Sequence, residues 1–344
     1  MKTQKKKYGI ASAGNWLVDY VKIIDTLPGK GMLGTILTQT LGTGGAPFNV
    51  LVDLSKIGAK FPLTGIGLTG NDTQRNFIIK TCKKWNIDTR FIMPLKNHAT
   101  SFTDVMTDSR TGERIFYHCR GANAYLDVQH IPINKLTCRI FHLGYLLLLD
   151  TLDKADKQYG TRAARLLAML KKAGIKTSVD VVSEESQRFS QLVPPALKYT
   201  DYLILNEIEA ARTVAEKVRD RAGKLLPAAL KKTAEKILKM GNMELVIIHM
   251  PEGAYCKTRD GRIFSSGSLE LPQNFIKGTV GAGDAFCAGV LYGLHEQIPL
   301  EETIKIGICT AASCLMQPGA TDGVLALKKA LELGKKYKWR KPPA

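Results

Sequence analysis

The chain has 344 residues, with 49 Lys and Arg against 31 Asp and Glu and a formal net charge of +18. That length suits one large α/β domain with an elaboration, a hydrophobic content of 44% is ample for its core, and no apolar run is long enough to cross a bilayer. The positive charge falls in separate runs (Lys5–Lys7, Lys83–Lys84, Arg162–Lys172, Arg219–Lys239, Lys335–Lys341), so it reads as solvated helix faces and an attractive field for anionic ligands, with no nucleic acid as partner.

The lysines at the start precede Ala11-Ser12-Ala13, but no apolar stretch of signal length lies between them, so Tyr8–Gly14 reads as a first strand. Seven cysteines are scattered with no CxxC, the pattern of reduced thiols in a cytoplasmic protein. Short strands are expected at Val18–Asp25 and Thr35–Leu41, around the turn-rich Pro28–Gly34. Gly42–Asn49 then opens a helix that closes at Gly58. Its Gly44-Gly45 pair permits close backbone approach to a ligand, and Asn49 can cap the helix or present its amide; alone, such a pair is more often a simple turn. Thr100–Asp108 and Arg114–Cys119 alternate around Ser109–Gly112 as a hairpin, followed by Gly121-Ala122-Asn123.

Ile140–Leu149 reads as a buried strand, Asp153–Ala173 as a helix closing at Gly174, and Lys176–Val182 as a strand with Asp180 near its carboxyl end. Asp201–Leu205 is a strand that runs into Asn206-Glu207-Ile208-Glu209. That spacing makes a capping box, and it also puts an amide and a carboxylate where a Mg²⁺ ion and its waters find oxygen ligands. Leu245–Ile248 is a further strand, with His249–Ala254 expected as a loop.

Gly278–Phe286, GTVGAGDAF, concentrates the chemistry. Gly281 and Gly283 allow a tight turn with uncovered amides, and an apolar helix follows from Ala285. Amides at a helix N-terminus attract anions, and the same field favours an ionised Asp284. An anion hole beside a carboxylate is what phosphoryl transfer to a hydroxyl requires. Glu301–Leu315 reads as a helix, Pro318–Gly323 as a turn, and the lysine-rich end with its PPA tail as peripheral.

The GTVGAGDAF string resembles the signature of the ribokinase-like (PfkB-type) carbohydrate kinases, usually DTxGAGDxF, and other segments agree in order from Gly14 to Gly323. The resemblance implies a doubly wound, mainly parallel α/β sheet with helices on both faces. It implies one domain over 1–344, with insertions at 16–43 and 97–120 forming a small β-sheet lid. It implies ATP and Mg²⁺, transfer of the γ-phosphoryl group to a hydroxyl of a sugar-like molecule, Asp284 as base, and Gly281, Ala282 and Gly283 as the anion hole. Asp19, Gly45, Asn49 and Asn123 would bind the acceptor, Asn206 and Gly253 the nucleotide, and Glu209 the Mg²⁺ through water. His249, which nothing in the sequence pairs as a base, reads as a loop or nucleotide-stacking residue. A homodimer through the lid follows by analogy.

Several positions depart from the family pattern. Leu51 replaces a small residue, the spacing from Gly58 to Gly70 is long, and DVVSEESQRF replaces the usual DxNxR continuation at Asp180. Gly278 stands where many relatives carry an aspartate that helps bind a monovalent cation, so activation by K⁺ is expected to be weak or absent. Nucleoside phosphorylation and a non-catalytic sensing role on the same scaffold are the competing readings.

Overall fold

Apolar runs without polar alternation make strands buried on both faces, and such strands form the centre of the molecule. The computed structural model describes residues 7–182 and 188–344. Its strands are β1 (Ile10–Gly14), β2 (Leu17–Ile24), β3 (Ile36–Gly44), β4 (Leu63–Thr69), β5 (Ile87–Pro94), β6 (Ser101–Asp108), β7 (Arg114–Cys119), β8 (Ile140–Leu146), the short pair β9 (Ala155–Asp156) and β10 (Gly160–Thr161), β11 (Lys176–Val181), β12 (Tyr202–Asn206), β13 (Leu245–Met250), β14 (Gly253–Thr258) and β15 (Ile263–Gly267). The helices are α1 (Ala46–Ile57), α2 (Thr73–Lys84), α3 (Arg162–Lys172), α4 (Phe189–Leu197), α5 (Glu207–Thr213), α6 (Pro227–Lys239), α7 (Ala282–Glu296), α8 (Leu300–Cys314) and α9 (Leu327–Lys336).

The main sheet has nine strands in the order β15-β14-β13-β12-β11-β8-β1-β4-β5. It is parallel from β5 to β13, and β14 and β15 close one edge as antiparallel strands. The chain winds outward from β1 through β4 to β5, then outward the other way from β8. The direction therefore reverses between β1 and β8, where Gly14 lies opposite Gly144. Crevices for ligands open at the carboxyl ends of strands at such a switch point. One core cluster joins the sheet to α3, α4, α5 and α6; the other joins it to α1, α2, α7, α8 and α9. Helix α7 is apolar on most sides because it lies between the sheet and α8. A Cβ on Gly289 would come within 2.8 Å of Gly307 Cα, so small residues set that helix crossing.

A second sheet of four strands, order β3-β2-β6-β7, is made from the two hairpins. The β2–β3 and β6–β7 pairs are antiparallel, and β2–β6 pairs in parallel from Leu17 opposite Ser101 to Ile24 opposite Asp108.

Local expectations are corrected in three places. Helix α3 begins at Arg162, not Asp153, because Gly160 takes φ 87° and the Thr161 side chain caps the helix by accepting from Ala164 N. His249 belongs to β13, and His249–Ala254 is a β-hairpin, with Met250 paired to Gly253. The C-terminal tail is not peripheral: Leu269 bridges Trp339, Arg340 N donates to Ser268 O at 2.7 Å, and Pro343 is buried. Of DVVSEESQRF, Ser183–Gln187 lie outside the described residues.

Candidate active site

The turn before α7 is built as a close backbone contact. Gly281 caps the helix at φ 76°, and a Cβ there would lie 2.1 Å from the Ala320 carbonyl oxygen. No side chain fits, so the turn presents backbone alone. The first-turn amides of α7 have no acceptor within their own helix, which leaves Ala282 and Gly283 at its positive end.

Asp284 follows in that first turn, with only 6% of its surface exposed. Asn49 Nδ2 donates to its Oδ2 at 2.7 Å, and the Tyr145 hydroxyl reaches Oδ1 at 3.0 Å and Oδ2 at 3.1 Å. Burial raises the Asp284 pKa, and the bonds from Asn49 and Tyr145 oppose that rise. Helix α1 supplies Asn49 one turn after its N-terminal cap, Gly45. That glycine takes φ 84° because a Cβ would lie 1.9 Å from the Asn15 carbonyl oxygen. Asn49 Oδ1 is buried and meets no donor among the described residues.

Asp19 comes from β2, at the base of the small sheet. A Cβ on Gly44 would fall 2.6 Å from Asp19 Oδ1, so Gly44 makes room for the carboxylate. Burial and then the charge of Asp284 push the Asp19 pKa up to about 7, against a hydrogen bond from Thr103 that lowers it. Asp19, Asn49 and Asp284 therefore converge at the switch point. Asn123 does something different with its amide: Oδ1 accepts from Trp16 N at 3.2 Å and Nδ2 donates to Trp16 O at 3.1 Å. It ties the segment after β7 to the start of β2. The lid also reaches the turn directly, since Arg114 Nη1 donates to Thr279 Oγ1 at 3.2 Å.

Beside the turn lies a cavity of 540 Å³. Its lining includes Asn206, Thr279 and Gly283 and the apolar Leu271, Ile308 and Leu315. His249 and Arg340 also line it. The His249 ring packs against Phe286 at a 40° tilt with centroids 5.0 Å apart, and burial lowers its pKa to about 4, so it is a neutral wall residue. Gly253 lines the cavity too, and its own backbone approach to β15 requires glycine: φ is 151° and a Cβ would lie 2.2 Å from Ser266 O. Asn206 and Glu209 form the expected capping box. Asn206 Oδ1 accepts from Ile208 N at 3.0 Å and Glu209 N at 2.9 Å, while Glu209 Oε2 accepts from Asn206 N at 3.0 Å. Arg219 braces this wall, bonding Glu207 at the start of α5 and both oxygens of Glu252 in the hairpin.

Asp180, at the end of β11, is driven well above the usual carboxylate range by burial, then by Glu209 and Asp284. Among the described residues no group of three or more metal-ligating side chains is assembled. Tyr145 and Asp53 escaped the sequence reading. A Gly-Tyr pair at a strand end on the switch point was the available signal for Tyr145; Asp53, four residues after Asn49 on the same helix face, is fully buried with neither oxygen partnered among the described residues.

Comparisons with known proteins identify the family and the fold. Residues 8–326 match the pfkB family carbohydrate kinase profile. A 5-dehydro-2-deoxygluconokinase of Clostridium perfringens is 26% identical over 342 residues, covering 97% of this chain and 95% of the relative. The Arabidopsis thaliana ribokinase solved with ribose and ATP superposes with a TM-score of 0.77 at 19% identity, covering 95% of this chain and 98% of that one. A ribokinase-type protein of Escherichia coli solved with ATP and Mg²⁺ superposes with a TM-score of 0.74 at 17% identity, covering 95% of this chain and 99% of the other. With a buried carboxylate at the glycine turn, the doubly wound sheet and the family match over most of its length, the chain belongs to the pfkB family of carbohydrate kinases.

Proposed function

We propose that this chain transfers the γ-phosphoryl group of ATP to a hydroxyl of a sugar or sugar-like acid, with Asp284 as general base. One observation carries the reading: a buried carboxylate held by two side-chain donors in the first turn of helix α7, directly after its glycine cap. In this mechanism Asp284 accepts the acceptor's hydroxyl proton as the phosphoryl group arrives, and the amides of Gly281, Ala282 and Gly283 stabilise the charge developing on it. Asn49 and Tyr145 aim the carboxylate. Asp19 and Asn49, at the floor of the small sheet, orient the acceptor's hydroxyls, with Gly45 admitting its approach. Asn123 positions the Trp16 backbone beneath the lid.

The adenine and ribose of ATP suit the largely apolar cavity, next to Asn206 and Gly253. Glu209 and Asp180 would hold Mg²⁺ through water, and the ion would neutralise the phosphate charge. The four-stranded sheet acts as a lid that keeps water from the phosphoryl group. Leu33, Leu37, Phe116 and Tyr117 are exposed on that lid and fit pairing with a second copy. All seven cysteines are free thiols and no helix among the described residues is long and apolar enough to cross a membrane, which supports a cytoplasmic setting.

The relative named for 5-dehydro-2-deoxygluconate phosphorylation and the net charge of +18 favour an anionic acceptor. ATP consumption with Mg²⁺ should therefore be measured against sugar acids, free sugars, phosphosugars and nucleosides. A strong response to a sugar acid supports the reading. A nucleoside as the best acceptor replaces its substrate class, and no response to any acceptor, with ligands still raising the melting temperature, replaces it with a sensing role.

A further inference from the structure

The Pro318–Gly323 loop packs backbone on backbone against the turn that opens α7. A Cβ on Gly281 would lie 2.1 Å from Ala320 O, and one on Gly278 would lie 2.7 Å from Pro318 Cα. This geometry leaves no space for a carboxylate at position 278. The Cys314 thiol sits between the two segments, 3.5 Å from Val280 O and 3.2 Å from Ala320 O. Carbonyl oxygens gather at the junction, beside amides that must stay aimed at an incoming anion. Crowded carbonyl dipoles repel one another unless a cation lies among them.

A cation is present, and it comes from α1. Lys56 Nζ donates to Thr321 O and, at 3.0 Å, to Asp322 O. The ammonium also stands 5.7 Å from the centre of the Trp85 ring. Burial lowers the Lys56 pKa, and the carboxyl groups of Asp53, three residues earlier on the same helix, and of Asp322 in the loop oppose that fall. Thr43, at the end of β3, meets the same loop through Thr321 Oγ1 at 3.2 Å. Helix α1 also carries Asn49, the donor to Asp284. One side chain thus links the helix that aims the base to the loop that braces the anion hole.

We propose that Lys56 is a positioning residue for phosphoryl transfer: a tethered cation that holds the Thr321 and Asp322 carbonyls, and through their loop the Gly281–Gly283 turn, in the geometry that receives the phosphoryl group. The proposal rests on the kinase reading above.

The test uses Lys56→Met, which keeps the apolar stem, and Lys56→Gln, which keeps a neutral donor; should the first not fold, the second carries the same test. Hydrogen exchange is followed at the amides of 279–283 and 319–323, and kcat and KM are measured in choline, potassium and ammonium salts at matched ionic strength. The wild type should run at one rate in all three. Both variants should exchange faster at these segments and lose kcat about 10- to 100-fold in choline, with acceptor KM little changed. Ammonium or potassium should restore part of both properties, which a merely structural lysine would not allow. Unchanged exchange in a folded variant overturns the proposal. So does a kcat loss that no monovalent cation relieves, or a several-fold rise of the wild-type rate with potassium. A wild type that phosphorylates nothing overturns the kinase reading and this role with it, and the exchange experiment separates that failure from a failure of Lys56 to brace the loop.

Discussion

Asp284→Asn isolates the proposed base. The substitution is nearly isosteric. One oxygen remains to accept from Asn49 Nδ2, now 2.7 Å from Oδ2, and the new amide group faces the Tyr145 hydroxyl, which can turn from donor to acceptor. The anion-hole amides and the cavity around Asn206 are untouched, so ATP binding should survive. Burial raises the Asp284 pKa, so its charge is held at a cost, and a neutral amide should leave the melting temperature unchanged or higher. The chemical step should nevertheless collapse. A positioned general base contributes about 10²- to 10⁴-fold, so the barrier should rise by about 3–5 kcal/mol. The assay is steady-state ADP production with the best acceptor from the panel, beside calorimetric melting with and without ATP and Mg²⁺. A folded, ATP-binding variant whose kcat stays within about tenfold of the wild type would refute Asp284 as base.

Tyr145→Phe removes a hydrogen bond that lowers the Asp284 pKa, so the acidic limb of the kcat/KM profile should move to higher pH, with a fall in kcat of about tenfold or less; a limb that stays in place would separate Tyr145 from the base. Gly281→Ala forces a side chain onto a backbone with φ 76° and into Ala320 O, and should cost about 2–4 kcal/mol in urea denaturation together with most activity. An unchanged midpoint would mean that the turn and the loop do not pack as described. For Asp19, burial lifts the folded-state pKa from 3.8 to about 7, so the folded chain binds this proton more tightly than the unfolded one. Its contribution to stability is complete below the unfolded pKa and declines as pH rises toward 7, by about 1.4 kcal/mol per pH unit within that window. Asp19→Asn should therefore gain on the wild type steadily between pH 4 and pH 7 in urea midpoints, and a constant difference across that range would contradict the buried-carboxylate account.

The α7 turn was readable from the chain alone because its chemistry is local: glycine, carboxylate and helix start are neighbours in sequence, and their fields act within one turn. The alternation of β6 and β7 and the capping box at Asn206 were readable for the same reason. The helix expected from Asp153 starts later because a helical pattern of apolar spacing does not show where Gly160 breaks the backbone, and the segment after His249 reads as a loop in sequence because β14 declares itself only through its pairing partner. What the sequence by itself determined was the family, the doubly wound order of elements and the presence of a carboxylate in the glycine turn, each a matter of short-range pattern. The tertiary structure alone decided which groups surround that carboxylate. Tyr145 lies 139 residues from Asp284, and Lys56 lies 265 residues from the carbonyl that it meets. No spacing rule connects such residues; they act together because the sheet reverses direction between β1 and β8 and brings α1, β8 and α7 to one crevice.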